Sequence, residues 1–289
     1  MKKKELGLAL GGGGLKGLAH IGVLQVLEAN KIPVAMISRT SVGSIFAALY
    51  ASGMSPKTME KVVINTKVKD YIDYNLAGIL SYALSLALCR EKNRLDGLIL
   101  GNKLEKLIYD LTDGKRLTDI KMPIAIIACD IDSGKRVIFT NQNLEAEDHD
   151  TIIIKDELLS KAVRASISIP GTFVPITLNG LQLVDGGLKN IVPVGVQKIM
   201  GAGYIMTVNL RTEADSKRVN GILHIISRTI EILIAGTSDK PEKFLSDLII
   251  FPDTGYVNLT DIHRASQIIE YGRKAMKNSL EKLMDDLVD

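Results

Sequence analysis

The chain has 289 residues, 46% of them hydrophobic, and its formal net charge is +3 at pH 7. This composition allows a sizeable buried core, and the near-balanced charge argues against a nucleic-acid-binding protein, which normally carries a concentrated basic face. No apolar run reaches the roughly 18 residues that a membrane span needs, and no signal-peptide pattern follows the first lysines. We therefore expect a cytoplasmic protein in which Cys89 and Cys129 are reduced.

The N-terminal segments alternate between strand and helix patterns. Residues 5–10 form a short apolar run that ends in four glycines, and residues 15–30 show helical periodicity. A second apolar run at residues 32–37 precedes another helix-like segment at residues 45–50. This strand–helix–strand–helix order predicts an α/β fold with a mainly parallel sheet.

The rest of the chain also contains segments with strand and helix patterns. Residues 54–111 are largely helical in pattern, and further strands are predicted at residues 123–129, 135–140, 181–184 and 204–210, the last of these being the final strand. Helices are predicted at residues 158–166, 221–235 and 261–287. No repeat or linker divides the chain, so we expect a single domain over residues 1–289, with a core at 5–210 and a C-terminal helical part at 211–289 packed on it.

Ser41 lies where the second strand gives way to the second helix. The segment Ile37-Ser-Arg-Thr-Ser-Val-Gly43 matches the nucleophile elbow G-x-S-x-G, except that Arg39 replaces the first glycine. A serine on such a tight turn has its hydroxyl pushed outward and backbone N–H groups beside it. Ser41 is therefore the candidate nucleophile.

A glycine-rich loop, residues 11–17, follows the first strand. Its backbone can approach a ligand closely, and the helix that follows offers unpaired N–H groups to a phosphate or a developing oxyanion. The same loop satisfies the dinucleotide fingerprint, and Arg39 lies near where an arginine meets an NADP 2′-phosphate. The loop alone does not choose between these uses.

Asp185 follows a predicted strand and precedes two glycines, which places its carboxylate beside a flexible turn. A serine nucleophile needs a base within hydrogen-bond reach. None of the four histidines lies in a strand-end loop, so a Ser–Asp pair is the natural hypothesis, with about 2.6–3.2 Å between Ser41 Oγ and the carboxylate. No His, Cys, Asp or Glu cluster has metal-ligand spacing, and no metal is expected.

Three blocks of this chain resemble the signature motifs of the patatin-like phospholipases: Gly11-Gly-Gly-Gly-Leu-Lys-Gly17, Thr40-Ser-Val-Gly43 and Asp185-Gly-Gly187. The segment Ala165-Ser-Ile-Ser-Ile-Pro-Gly171 is also similar to one in that family. The resemblance implies a three-layer α/β/α fold with additional C-terminal helices, Ser41 as nucleophile and Asp185 as base. It further implies an oxyanion hole formed by Gly12, Gly13 and Gly14. The residues expected to support the site are Lys16, which stands in place of the usual arginine, Arg39, Gly43, Gly186 and Gly187.

By this resemblance the chain is expected to be a lipid acyl hydrolase of the phospholipase A or lysophospholipase type. It would act through an acyl-enzyme, without a cofactor, on a phospholipid or another acyl-ester lipid. Two alternatives stay open. One is an NADP-binding Rossmann-type protein, and the other is a weakly active, lipid-binding relative in which Arg39 strains the elbow or fills the cleft.

An apolar stripe runs from Leu76 to Leu88 at helical spacing. It fits a core-packing helix, and it also fits an apolar cap or a helix that dips into a membrane surface. A basic cluster precedes it, formed by Lys57, Lys61, Lys67 and Lys69. In the second interpretation these lysines favour peripheral contact with an anionic membrane, such as the inner membrane surface.

Overall fold

A computed structural model describes residues 4–88, 94–146, 149–210, 229 and 243–288 of the chain. Cys89 and nearly all of the helix predicted at residues 221–235 lie outside the described residues. Among the residues that are described, no helix is long and apolar enough to cross a membrane.

Eleven strands and ten helices are described. The strands are β1 (Leu6–Leu10), β2 (Val34–Thr40), β3 (Gly97–Ile99), β4 (Ile124–Asp130), β5 (Arg136–Thr140), β6 (Thr151–Ile154), β7 (Gly171–Phe173), β8 (Ile176–Leu178), β9 (Leu181–Asp185), β10 (Tyr204–Val208) and β11 (Leu248–Ile250). The helices are α1 (Ala19–Ala29), α2 (Gly43–Ala51), α3 (Pro56–Asn65), α4 (Val68–Tyr71), α5 (Leu76–Ala87), α6 (Asn102–Leu111), α7 (Leu159–Ser166), α8 (Val194–Ile199), α9 (Ala265–Asn278) and α10 (Leu280–Val288).

The central sheet has the strand order β11-β10-β1-β2-β4-β5-β6, with β9 paired to β4 and β8 paired to β9. Neighbours from β11 to β4 are parallel, whereas β5, β8 and β9 introduce antiparallel pairs. Strand β1 has parallel neighbours on both sides and is buried at all five positions. Its unbroken apolar sequence is typical of a strand with both faces covered.

Helices cover both faces of this sheet. On one face, apolar side chains of β1, β2 and β4 pack against α1, α2 and α7, and α9 lies against α1. On the other face, Ala9, Ala125 and Ile127 pack against Val194 and Val196 of α8. The arrangement confirms the predicted α/β/α fold with a mainly parallel sheet, since each face of a buried sheet needs its own helical layer.

Strand β4 changes its neighbour halfway along its length. Residues Ile124 to Ile127 pair with β2, and Ala128 to Asp130 pair with β9, both on the flank opposite β5. Strand β9 therefore continues in the position that β2 leaves when it ends at Thr40. The end of β2 and the end of β9 consequently meet at the same point beside β4.

Several predicted elements differ from the structure. Residues 204–210 do not form the final strand, because Leu248–Ile250 adds β11 in parallel to β10, and the C-terminal part is therefore not only helical. Strand β3 interrupts the largely helical region of residues 54–111, where it pairs with β7 in a separate small sheet. Three-residue strands are too short to show a period-two pattern, and only tertiary pairing defines them.

Helix α5 does not pack into the core. Its apolar side chains are exposed, with 71% exposure at Leu76 and Leu80 and 57% at Leu84, and its only buried residue is Ser85. The core-helix interpretation of this stripe was therefore wrong. Helix α5 is an apolar helix with its hydrophobic side chains exposed to solvent. Exposed apolar patches of this kind are typical of protein or membrane interaction sites.

The C-terminal helix α9 approaches α1 closely at two glycines. A Cβ at Gly22 would lie 2.0 Å from the carbonyl oxygen of Ile269, and one at Gly272 would lie 1.8 Å from that of Ala19. Only glycine at both positions lets the two backbones come this near. The close crossing attaches the C-terminal helices to the helix that follows the glycine loop.

We expect Gly22→Ala to lower the free energy of unfolding by about 3 kcal/mol, because the added methyl group forces the two helix backbones apart. Urea denaturation followed by circular dichroism measures the effect. Gly195→Ala is the matched control, since a Cβ at Gly195 meets nothing within 4 Å. An equal response of the two variants would contradict the role of this crossing.

Candidate active site

Ser41 occupies a sharp turn between β2 and α2. Its φ of 58° is in the left-handed region, where a residue other than glycine is uncommon. The turn is closed by Ser44, whose N–H and hydroxyl both donate to the Ser41 carbonyl oxygen at 2.7 Å. This strained strand-to-helix geometry is that of a nucleophile elbow, although Arg39 stands where the motif has glycine.

Ser166 holds the elbow in place from below. The Ser41 N–H donates to Ser166 Oγ at 3.0 Å, and the Ser166 hydroxyl donates to the Ile127 carbonyl oxygen at 2.6 Å. Ser166 was not among the site residues predicted from the sequence. No local signal identifies this contact, because it joins the end of α7 to a residue 125 positions away.

Asp185 lies directly opposite the Ser41 hydroxyl. Ser41 Oγ donates to Asp185 Oδ2 at 2.6 Å, within the range expected for a nucleophile and its base, and the Gly187 N–H donates to Oδ1 at 2.7 Å. Gly186 separates Asp185 from Gly187, and only glycine fits there, since a Cβ at Gly186 would lie 2.2 Å from the Ile127 carbonyl oxygen. One carboxylate oxygen is thus fixed by its own turn, and the other is directed at Ser41.

Both members of the pair are buried, with 7% exposure at Ser41 and 6% at Asp185. Burial raises the pKa of Asp185 to about 6, and the hydrogen bonds from Ser41 and Gly187 offset part of that rise. A carboxylate with this pKa is ionised at neutral pH and is a stronger proton acceptor than an exposed aspartate. The arrangement suits proton transfer from the serine hydroxyl.

The glycine loop runs alongside Ser41. A Cβ at Gly12 would lie 3.1 Å from the Cβ of Ser41, so the loop passes at van der Waals distance from the elbow. The Gly12 N–H, however, donates to the Ile191 carbonyl oxygen at 3.0 Å. Gly12 therefore lets the backbone of the loop lie close to Ser41, but its N–H is already engaged. The prediction that Gly12 donates to an oxyanion is corrected accordingly.

Gly13 and Gly14 differ from Gly12 in this respect. Gly13 caps a short 3-10 helix at Gly14–Leu18, and the first N–H groups of any helix have no acceptor within it. Gly14 has a φ of 57°, a conformation that glycine adopts without cost. The candidate donors for an oxyanion thus narrow to these two residues.

Arg39 does not face a cleft. Its side chain is fully buried, and it lies on the α1 and α2 side of β2, opposite Ser38 and Thr40, which bond to carbonyl oxygens near α8. A Cβ at Gly43 would lie 2.3 Å from Arg39 Nη2, so the guanidinium occupies the space that glycine leaves. In this position Arg39 reaches neither a lipid head group nor an NADP phosphate, and the dinucleotide alternative loses its support.

The remaining predicted positions are supporting ones. Lys16 is half-buried on the 3-10 helix that follows the glycine loop. His149 and His263 are exposed, and His224 lies outside the described residues. His20 is buried near the start of α1, where its Nε2 is 3.1 Å from the Gly11 carbonyl oxygen. The group that accepts the hydrogen bond of the Ser41 hydroxyl is thus the Asp185 carboxylate and not one of the described histidines.

Known proteins resemble this chain in sequence and in fold. The family model of the patatin-like phospholipases matches residues 8–196. The neuropathy target esterase sws of Drosophila melanogaster is 26% identical over 218 residues, and the lysophospholipase NTE1 of Yarrowia lipolytica is 26% identical over 217 residues. Each alignment covers 75% of this chain but only 14% and 13% of those proteins, so the chain spans a small part of their length.

A solved structure shows the same fold. The crystal structure of VipD from Legionella pneumophila superimposes with a TM-score of 0.56 at 14% sequence identity, covering 97% of this chain and 67% of VipD. An identity this low establishes only that the folds are alike.

The raised pKa of Asp185 makes the stability of the protein depend on pH. The unfolded carboxyl titrates near 3.9, so between pH 4 and 6 the unfolded state binds fewer protons than the native state, and stability falls as pH rises. A shift of about two units corresponds to about 3 kcal/mol. We expect Asp185→Asn to remove this loss, and thus to be more stable than the wild type at pH 7 but not at pH 4.

Urea denaturation of both proteins at pH 4, 5, 6 and 7 measures the difference. Asp132→Asn, which removes one carboxyl at an exposed turn residue, is the matched control variant at each pH. A stability difference between Asp185→Asn and the wild type that does not vary with pH would show that the pKa of Asp185 is not raised.

Proposed function

Because this chain belongs to the patatin-like phospholipase family, we propose that it is a lipid acyl hydrolase, a serine carboxylic-ester hydrolase with Ser41 as nucleophile and Asp185 as base. The single observation that carries the proposal is the 2.6 Å hydrogen bond from Ser41 Oγ to Asp185 Oδ2, with Ser41 in the left-handed conformation at the strand-to-helix turn. The names of relatives, which include an esterase and a lysophospholipase, agree with an acyl ester as the substrate class.

The proposed reaction has two halves. Asp185 accepts the Ser41 proton while Oγ attacks the ester carbonyl carbon, and collapse of the tetrahedral intermediate releases the alcohol, which takes the proton from Asp185. Water then attacks the acyl-serine, again losing a proton to Asp185, and the fatty acid leaves as Ser41 regains its proton. The pKa of about 6 lets Asp185 serve as base in one step and acid in the next.

The oxyanion formed in each half is proposed to accept hydrogen bonds from the Gly13 and Gly14 N–H groups. These lie at the start of the 3-10 helix, where the positive end of the backbone dipoles favours negative charge. Loss of one such donor typically costs about 3–4 kcal/mol of transition-state stabilisation. No metal or cofactor takes part in this scheme.

The Arg39 substitution does not argue for an inactive, lipid-binding relative. The Ser41–Asp185 hydrogen bond and the turn closed by Ser44 are both present with Arg39 in place. The side chain occupies the interior beneath the elbow and leaves the hydroxyl side of Ser41 open to the glycine loop. Activity is therefore the expected state of this chain.

Helix α5 is proposed to contact the lipid surface that holds the substrate. It touches β3, whose partner β7 belongs to a small apolar cluster that also includes Leu259. Leu259 in turn lies 3.5 Å from the position of a Cβ at Gly14. A series of contacts thus links α5 to the glycine loop, and burial of its exposed apolar face in a bilayer surface is favourable.

A fluorophosphonate probe tests the nucleophile. We expect the wild type to be labelled at Ser41 and to hydrolyse a short-chain p-nitrophenyl ester, and Ser41→Ala to do neither. The labelling rate should rise with pH through about 6, because Asp185 must be ionised to accept the proton.

Ser44→Ala is the control for the labelling, since Ser44 carries a neighbouring hydroxyl that donates to the Ser41 carbonyl oxygen. It should keep its label, with a reduced rate if the elbow loosens. Equal labelling of wild type and Ser41→Ala would remove Ser41 from the mechanism.

The double variant Leu80→Asp/Leu84→Asp tests the proposed lipid contact. Two charges on the exposed face of α5 should weaken binding to phosphatidylglycerol vesicles and lower hydrolysis of vesicle lipid about tenfold or more, because charged groups do not enter the apolar boundary. Hydrolysis of the soluble p-nitrophenyl ester should not change. An equal loss on both substrates would indicate damage to the site and no surface role for α5.

A further inference from the structure

Arg39 is a buried cation that has no partner among the residues that the structure describes. Its side chain has 0% exposure, and no described residue supplies a hydrogen-bond acceptor to any of the three guanidinium nitrogens. A guanidinium carries only donors, and leaving such a group buried and unpaired is costly. Burial accordingly lowers the pKa of Arg39. The interior beneath the elbow therefore needs an acceptor close to this side chain.

His20 offers the complementary group. Its ring is also 0% exposed, and its Nε2 is 3.1 Å from the carbonyl oxygen of Gly11. Since a carbonyl oxygen only accepts, Nε2 must carry the proton, which leaves Nδ1 as a lone-pair acceptor. Nδ1 has no partner. Burial, and next the positive charge of Arg39, lower the pKa of His20, so the ring is neutral.

The two orphaned groups share one region of the interior. Arg39 lies against Gly43 at the start of α2. The 3-10 helix that leads into α1 also packs against Gly43, since a Cβ at Gly17 would lie 3.7 Å from the Gly43 nitrogen. The charge of Arg39 acts on the His20 ring. A side chain with only donors and a ring nitrogen that only accepts therefore lie in the same part of the interior, and neither has a hydrogen-bond partner among the described residues.

We propose that Arg39 and His20 form a buried guanidinium–imidazole pair bridged by one internal water, which accepts from an Arg39 N–H and donates to His20 Nδ1, since the structure shows no direct hydrogen bond between them. The pair joins the elbow to the glycine loop, because Arg39 precedes Ser41 by two residues and Gly11 precedes the candidate oxyanion donors. Arg39 and His20 are positioning residues in this role. The proposal rests on the proposed function for its catalytic consequence, but the pair itself is a structural statement.

The pair also accounts for the departure from the elbow motif. A glycine at position 39 leaves space beneath the turn, whereas here the guanidinium fills that space and Gly43 supplies the room for it. On this view Arg39 is part of the elbow's support. Replacing it with the usual glycine should impair the site and not repair it.

Nitrogen NMR of the wild type, with histidine labelled on both ring nitrogens, tests the pair without any assay. We expect His20, assigned from the signals lost in His20→Phe, to be neutral with the proton on Nε2 and with Nδ1 accepting a hydrogen bond. Arg39→Met should move Nδ1 towards the position of a nitrogen with no donor and leave His149 and His263 unchanged. A wild-type ring protonated on Nδ1, or an Nδ1 without a donor, overturns the proposal.

Ester hydrolysis tests the positioning role. Arg39→Met and His20→Phe should each lower kcat about ten- to a hundredfold with little change in KM, as expected when reacting groups are displaced slightly. The double variant should be no slower than the slower single variant, because both changes break one connection. Arg39→Lys, which keeps a donor, should retain more activity than Arg39→Met, and His263→Gln is the neutral surface control.

The decisive variant is Arg39→Gly. If the arginine only strains the elbow, this change raises kcat, whereas the proposed pair predicts a lower kcat. Independent, multiplicative effects in the double variant, or a faster Arg39→Gly enzyme, would overturn the positioning role. If the wild type neither hydrolyses esters nor reacts with a fluorophosphonate, the proposed function fails, while the NMR result still decides whether the pair exists.

Discussion

The hydrogen bond between Ser41 and Asp185 depends on one feature of the sheet, the exchange of neighbours along β4. Strand β2 pairs with β4 as far as Ile127 and then turns away at the elbow, and β9 arrives antiparallel beside Ala128. Two residues 144 positions apart are thus brought to adjacent places on one flank of one strand. The Ile127 carbonyl oxygen at this junction also accepts the Ser166 hydroxyl and leaves no room for a side chain at position 186.

Burial gives the site its electrostatic character. Among the described residues, the hydrogen bonds to the Asp185 carboxylate come from Ser41 and Gly187 and not from an arginine or lysine, and desolvation raises the pKa of Asp185. Arg39 is likewise buried, on the other side of the same turn. Keeping cation and carboxylate apart preserves a basic Asp185, because a nearby guanidinium would lower the pKa of the carboxyl and weaken it as a proton acceptor.

The C-terminal part of the chain completes the fold around this site. Strand β11 extends the sheet beyond β10, and α9 crosses α1 so closely that both helices need glycine at the contact. Helix α1 carries His20 and follows the glycine loop. The position of the loop is therefore connected to the C-terminal helices through ordinary backbone packing. Helix α5 is the contrasting element, since its apolar face contributes nothing to this core.

The sequence by itself determined the order of the first two strands and helices, the mainly parallel sheet and the choice of Ser41 and Asp185 as candidate residues, because these depend on local periodicity and on short motifs. The tertiary structure decided what depends on contacts between distant segments. In the folded chain the Gly12 N–H bonds to the Ile191 carbonyl oxygen, and Ser166 accepts from the Ser41 N–H. Helix α5 is exposed and Arg39 is buried. A sequence pattern specifies which residues are apolar or turn-forming, but only packing specifies which neighbour satisfies each polar group.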